Sequence, residues 1–303
     1  AIDDQCDNRP MLKYMVENNI AIDPNYSYSP DCRLFNPGEN NVMLLDIPDA
    51  AGSTDLVPVP YSKEDMGMYL KRKYIGLDLF LEHPFDGKWF GRVDYTLSHN
   101  YGNDEGQLNS DIGQGDVSQT VLFDHKELME YGGGNLPNDR RHVVKAYGFY
   151  QINPEWRAGA ALVARTGRPK QCLGYYTGAG GYKTPGAPNA DGTGTTQSGQ
   201  EFWETYLSYG PYYHYCGGQA TPRGANGRTP VDIQLSLNAA YMPNWAPGLA
   251  FKVDVFNVLN KQVAQNVTEI GENGGVNVVY SSRDRVISYG APRYVRFTIN
   301  YDF

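Results

Sequence analysis

The sequence predicts an all-β protein, an antiparallel segment of a transmembrane β-barrel wall carrying long loops at one end. Two observations predict it. Several stretches alternate apolar and polar residues strictly, and the connections between those stretches alternate between long and short. A half-buried strand needs the first. A membrane barrel, with long loops on one side and short turns on the other, needs the second.

The last strand is the clearest. Val295, Phe297, Ile299, Tyr301 and Phe303 fall on one face, and Tyr294, Arg296, Thr298, Asn300 and Asp302 on the other. The first set is expected to face lipid and the second a wet lumen. The same period recurs at Ile75–Leu81, Trp89–Leu97, Trp156–Ala164, Val231–Tyr241 and Leu249–Val255. A further strand is expected at about Arg141–Ile152, although its two faces do not separate by eye. That makes about seven strands, each near the roughly 9–11 residues that cross a bilayer at a tilt.

Three connections are long, at about Gly102–Asp139, Gly167–Pro230 and Lys261–Pro292. Three are short, at His83–Gly87, Asn153–Pro154 and Pro243–Gly248. An edge strand in a soluble sandwich explains any one strand, but not the placing of every long loop at one end. Residues 1–69 are expected to form a loop region with short helical pieces, and residues 70–303 the wall. Short helices are expected at Pro10–Asn19, Lys63–Leu70 and His125–Tyr131.

Composition agrees with the topology. The chain has 303 residues, among them 24 Tyr, 34 Gly and 19 Pro, which suits a turn-rich all-β chain with aromatic girdles. Net charge is −8, so there is no basic footprint for nucleic acid. Mean hydropathy is −0.53 and no run of about 18 apolar residues exists, which excludes a transmembrane helix but not a strand-built wall. No signal peptide is visible and Ala1–Asp7 are polar, so the chain is expected either to have lost its leader or to begin midway through a longer precursor.

Four cysteines fall on the side of the long loops. Of the three possible pairings, Cys6–Cys32 with Cys172–Cys216 is the simplest, formed during export to an oxidising compartment. Four free thiols in a reducing cell is the alternative.

Chemistry-bearing motifs are scarce. His83, His99, His125, His142 and His214 are scattered without metal-ligand spacing or a neighbouring nucleophile, so no catalytic site, metal site or cofactor is expected. The stretch with Asn103, Asp104, Glu105, Asp111 and Asp116 offers oxygen ligands for Ca2+ but lacks the EF-hand spacing, and a solvated acidic loop is the plainer reading. The second long loop is dense in rings: Tyr175, Tyr176, Tyr182, Phe202, Trp203, Tyr206, Tyr209, Tyr212, Tyr213 and Tyr215. Rigid amphipathic rings make contact area at low entropic cost, so this is the candidate ligand-capture surface. The competing reading is that the rings pack the loop against itself.

With these residues assembled, a family resemblance is visible. The terminal Arg293-Tyr-Val-Arg-Phe-Thr-Ile-Asn-Tyr-Asp-Phe303 resembles the closing strand of TonB-dependent receptors, and Phe251-Lys-Val-Asp-Val-Phe-Asn-Val-Leu-Asn-Lys261 their penultimate strand. Five stretches resemble the Oar-like subfamily: Gly102-Asn-Asp-Glu-Gly106, Ser110-Asp-Ile-Gly-Gln114, Leu136-Pro-Asn-Asp-Arg-Arg-His142, Thr166-Gly-Arg-Pro169 and Pro222-Arg-Gly224. The likeness covers about Tyr61–Phe303. It implies a Gram-negative outer-membrane receptor with extracellular loops and a periplasmic C-terminus, transporting a scarce or bulky ligand. The expected partners are the bilayer, an N-terminal barrel and plug portion on the same protein or a separate chain, the TonB complex reached through that plug, and an extracellular ligand. The chain is then expected to be about seven C-terminal strands of a larger barrel. A structural or adhesion barrel without active transport, and a secreted β-rich enzyme or carbohydrate-binding protein, are the rival readings.

Overall fold

A computed structural model describes residues 3–5, 9–18, 33–48, 54–64, 69–106, 108–114, 121–124, 126–177 and 210–302. Seven strands form the wall: β1 (Arg72–His83), β2 (Trp89–Gly102), β3 (His142–Gln151), β4 (Trp156–Arg165), β5 (Asp232–Tyr241), β6 (Leu249–Phe256) and β7 (Tyr294–Tyr301). Each pairs antiparallel with its neighbour in sequence, so the sheet is a single meander. Six lie where the alternation places them, and β3 lies within the expected Arg141–Ile152. A two-residue strand, Gly134–Asn135, adds to the far end of β2. No helix among the described residues is long and apolar enough to cross a membrane.

The register settles the faces, because residues directly opposite in an antiparallel pair point the same way. One row across the sheet reads Leu81, Val93, Ala146, Leu162, Leu235. Another reads Gly91, Gly148, Ala160, Leu237, Val255, Val295. The next reads Trp89, Tyr150, Ala158, Ala239, Val253, Phe297. The opposite face carries Glu82, Arg92, Asp94, Lys145, Arg165, Asp232, Asp254 and Arg296, with Arg92 bridging Glu82 at 3.0 Å and Arg296 bridging Asp254 at 3.0 Å. One face is therefore apolar from edge to edge and the other charged. Val295, Phe297, Ile299 and Tyr301 all stand on the apolar face; Phe303 lies outside the described residues.

β3 is now separable. Val144, Ala146, Gly148 and Tyr150 share the apolar face, while Val143, Lys145, Tyr147 and Phe149 share the charged one. Its sequence hides this because small residues sit on the apolar side and two rings on the other. Those rings meet Phe90, with Phe90–Phe149 centroids at 5.7 Å and Phe90–Tyr147 at 5.9 Å. At the short-turn end of the apolar face, Trp156 stacks on Tyr241 at 4.6 Å, and Trp89 on His83 at 3.7 Å. Amphipathic rings gathered at one level are what a membrane–water interface selects.

The region before the wall holds more regular structure than short helical pieces. The helix Arg9–Glu17 overlaps the expected Pro10–Asn19 and starts one residue earlier. Two antiparallel strand pairs accompany it, Asp3–Gln5 with Arg33–Phe35 and Asn41–Pro48 with Thr54–Tyr61. Met11, Met15, Phe35, Met43, Leu45, Val59 and Tyr61 form a buried cluster with Leu122, Phe123 and Met129 of the first long loop. The expected helix at His125–Tyr131 is a single turn, Lys126–Met129. At Lys63–Leu70 the described residues are not helical, and residues 65–68 lie outside the description.

Candidate functional site

All three long connections leave the same end of the meander, and there they pack into a cap. Its interior is ionic. Arg168 pairs with Glu269. Arg223, fully buried, donates to Glu105 Oε1 at 2.6 Å and to the Gly132 carbonyl at 3.0 Å, and lies 3.0 Å from Asp111 Oδ2. Arg228 pairs with Asp139, whose Oδ1 accepts from the Asn100 backbone at 2.8 Å. Gln171 ties several of these parts together. Its backbone N–H donates to Glu269 Oε2 at 2.6 Å, its Nε2 donates to the Thr221 carbonyl at 2.7 Å, and its Oε1 accepts from the Gly224 N–H at 2.8 Å. Buried charge is tolerated when it is paired and hydrogen-bonded, and a charge stripped of its partner is costly.

The five stretches that resemble the Oar-like subfamily converge here. They supply Glu105, Asp111, Asp139, Arg168 and Arg223. Gly167 belongs to the same set, since a Cβ on it would lie 1.5 Å from the Thr229 carbonyl oxygen. Only the smallest residue lets the two loop segments approach that closely. The solvated reading of the acidic loop is overturned for Glu105 and Asp111, which are inside and paired with Arg223. Burial and the charge of Asp111 hold the Glu105 carboxyl above its ordinary range. Asp116 lies outside the described residues. Among the described residues no group of three His, Cys, Asp or Glu side chains is arranged to hold a metal ion. Sequence reasoning missed Glu269 and Glu272, isolated acids in an unremarkable loop whose partners lie far away in sequence.

Cys172 and Cys216 are bonded, with Cα atoms 5.8 Å apart, inside the window of about 4.4–6.8 Å for such a bridge. Cys6 and Cys32 lie outside the described residues. Beside the bridge, Glu272 accepts three backbone N–H groups, from Tyr175 at 3.0 Å, Gly217 at 2.8 Å and Asn277 at 2.9 Å.

The described tyrosines of the second loop lie inward. Tyr175, Tyr176, Tyr213 and Tyr215 are buried. Tyr176 and Tyr215 both donate to Glu130, at 2.8 and 3.1 Å, and their rings meet edge to face at 5.2 Å. Burial and the Glu130 carboxylate push both phenols well above their usual range. Tyr212 packs on the outside of this cluster, half-buried. Tyr182, Trp203, Tyr206 and Tyr209 lie outside the described residues.

Three of the described histidines contact polar side chains of the wall and the cap. His214 is buried and accepts from Gln171 Nε2 at 2.9 Å through Nδ1; desolvation and then the charge of Arg223 hold it well below its usual value, so it stays neutral. His99 contacts Asn135 at 2.9 Å and His142 contacts Tyr95 at 2.8 Å.

The arrangement as a whole is a two-faced wall closed at one end by cross-linked loops. The TonB-dependent transporter Oar of Myxococcus xanthus is 27% identical over 340 residues, a match covering 97% of this chain and 29% of that protein. Along nearly its whole length the chain is similar to this TonB-dependent transporter. No protein-family profile matches it. Among solved structures, the siderophore receptor PiuA from Acinetobacter baumannii has a TM-score of 0.42 at 12% identity, covering 86% of this chain and 24% of that one. The ferric-catecholate import receptor Fiu from K12 E. coli has a TM-score of 0.41 at 15% identity, covering 88% of this chain and 24% of that one. The chain thus spans under a third of the length of the curated relative it matches.

Proposed function

We propose that this chain supplies barrel wall and ligand-facing loops to an outer-membrane TonB-dependent transporter. Residues 70–303 form the wall and its loops, and residues 1–69 an outer loop region. The apolar face lies in lipid, the charged face lines the lumen, the long loops are extracellular and the C-terminus is periplasmic. A plug carried on another part of the protein, or on a separate chain, couples the barrel to the TonB complex for energised uptake of a scarce or bulky ligand. Capture falls to Tyr182, Trp203, Tyr206, Tyr209 and Tyr212 of the second loop. Tyr175, Tyr176, Tyr213 and Tyr215 hold that loop's shape. No step in this function asks the chain for catalysis or a cofactor.

One observation carries the reading: the relationship to a TonB-dependent transporter runs along nearly the whole chain, and the face-to-face partition of the sheet is what that role requires. The test uses the complete protein in its own cells. An epitope inserted at Gly227, where the chain turns with φ +76 and a side chain meets open space, is expected to be stained on intact cells. Ligand-dependent growth is expected to stop when the proton gradient or the TonB protein is removed. Surface staining with growth indifferent to TonB favours a structural or adhesion barrel. Recovery of the protein without detergent favours a secreted β-rich protein.

A further inference from the structure

Between the Ser110–Ile112 turn of the first loop and the Ala264–Val267 strand of the third, the cap encloses a cavity of about 340 Å3. Ile112, Val267, Ile270 and Ile287 give it apolar walls, and Asp111, Glu269 and Arg168 give it charge. Asp111 and Glu269 are both more than nine-tenths buried. We propose that this cavity binds a primary ammonium group carried on a short aliphatic chain, such as an alkylamine or a lysine side chain.

Charge balance is the first argument. Glu105, Asp111 and Glu269 share two guanidinium groups, those of Arg168 and Arg223. Three carboxylates against two cations leave one negative charge without a counter-charge in this cluster. A buried charge in that position is costly until a proton or a cation joins it. The strain is visible at Glu269, whose carboxyl is pushed up to about 7 by burial and then by the charge of Asp111, against the opposing pull of Arg168.

The second argument is independent of the first. Asp111 Oδ2 is buried and makes no hydrogen bond. Its neighbour Arg223 Nη1, at 3.0 Å, donates instead to Glu105 Oε1. A buried acceptor that has an ion-pair contact but no hydrogen bond is the exception in folded proteins and has room for a donor. An ammonium brings three donors and one positive charge, and its methylene stem matches the isoleucine and valine walls. A metal ion fits less well, because Arg223 and Arg168 already stand on the carboxylates and repel a second cation of higher charge.

This site rests on the proposed function in so far as the cap meets ligand from outside, and the test separates the two. The probe is n-pentylamine, titrated calorimetrically into the complete detergent-solubilised protein, with 1-pentanol as the uncharged control. Saturable amine binding is expected, tighter at pH 8 than at pH 6 because Glu269 must be ionised, with pentanol at least tenfold weaker. Asp111→Asn is expected to weaken binding at least tenfold. Should that variant fold poorly, Ile287→Trp serves instead: it keeps every charge, starts from an exposed position, and is expected to fill the mouth and abolish binding. No saturable heat, equal binding of pentanol, or unchanged binding in Ile287→Trp overturns the proposal. Membrane fractionation of the same preparation reads the proposed function separately. A receptor that sits in the outer membrane and ignores the amine defeats only the cavity. A protein that binds the amine from outside that membrane defeats only the transport reading.

Discussion

Glu272 shows how a single side chain can hold a loop. Its carboxylate is buried and is shared among the backbone N–H groups of Tyr175, Gly217 and Asn277, one from the strand side of the disulfide, one from beyond it and one from the third loop. Glu272→Gln keeps one acceptor oxygen for Gly217 and Asn277 but turns an amide N–H toward the N–H of Tyr175. A buried donor left facing a donor costs about 1–3 kcal/mol. Amide hydrogen exchange at Tyr175 is therefore expected to accelerate by about tenfold or more, with the wall strands unaffected. His214 gives the cap its acid limb. Its folded value is depressed, so below about 6.5 the opened chain binds a proton that the closed cap refuses. Stability contributed by His214 is thus intact above that pH and falls as pH drops. Glu269 works the other way, since its raised value makes the closed cap bind the extra proton between about 4.5 and about 7. The two slopes oppose each other, so the His214 effect is read as a difference. Against His214→Gln, the parent is expected to lose about 1.4 kcal/mol of cap closure per pH unit below about 6.5, measured by exchange at the cap amides.

At the scale of elements, the two faces make the sharpest forecast. Ile299 and Asn300 are adjacent in β7 but stand on opposite faces of one sheet, opposite Phe251 and Ala250 respectively. Arginine on a lipid face costs about 2–4 kcal/mol at the bilayer midplane and little near an interface or on the lumen side. Ile299→Arg is expected to lower the yield of heat-modifiable folded protein, and Asn300→Arg to leave it near normal; the reverse order would mean that the faces are exchanged. These elements were legible because period-2 alternation survives wherever one face meets lipid and the other water. Legibility failed where that contrast is missing. The hairpin Asn41–Pro48 with Thr54–Tyr61 carries Pro58 and Pro60, which argue against a central strand. In a two-stranded hairpin both strands are edges, so a missing N–H is tolerated, and the prolines pair with Leu44 and Val42 on the exposed face. The cap was hidden for another reason. Its pairs span up to 118 residues, as from Glu105 to Arg223, and no local pattern announces a partner at that range. The short stretches around those charges did stand out as motifs, and the fold explains why they belong together.

For the whole molecule the decisive feature is the pair of open edges. Among the described residues β1 bonds only to β2, and β7 only to β6. Both edges carry exposed apolar side chains, Leu77, Leu79 and Leu81 on one and Phe297 and Ile299 on the other. In lipid each unpaired backbone N–H or C=O costs several kcal/mol, and lipid-exposed sheet edges do not occur. A barrel removes edges by closing, yet seven strands in one meander cannot close with every neighbour antiparallel. β1 and β7 both run odd in the alternation, so they point the same way and would meet parallel. An even number of further strands would leave the same mismatch, and an odd number repairs it. We therefore expect residues 1–303 expressed alone to aggregate or be degraded, and to be recovered folded only with the remaining strands, as one polypeptide or by co-expression. Heat-modifiable mobility and protease resistance of the wall are the readouts. A monomeric, protease-resistant barrel from residues 1–303 alone would show that the edges find each other, and would replace the larger barrel with a small independent one.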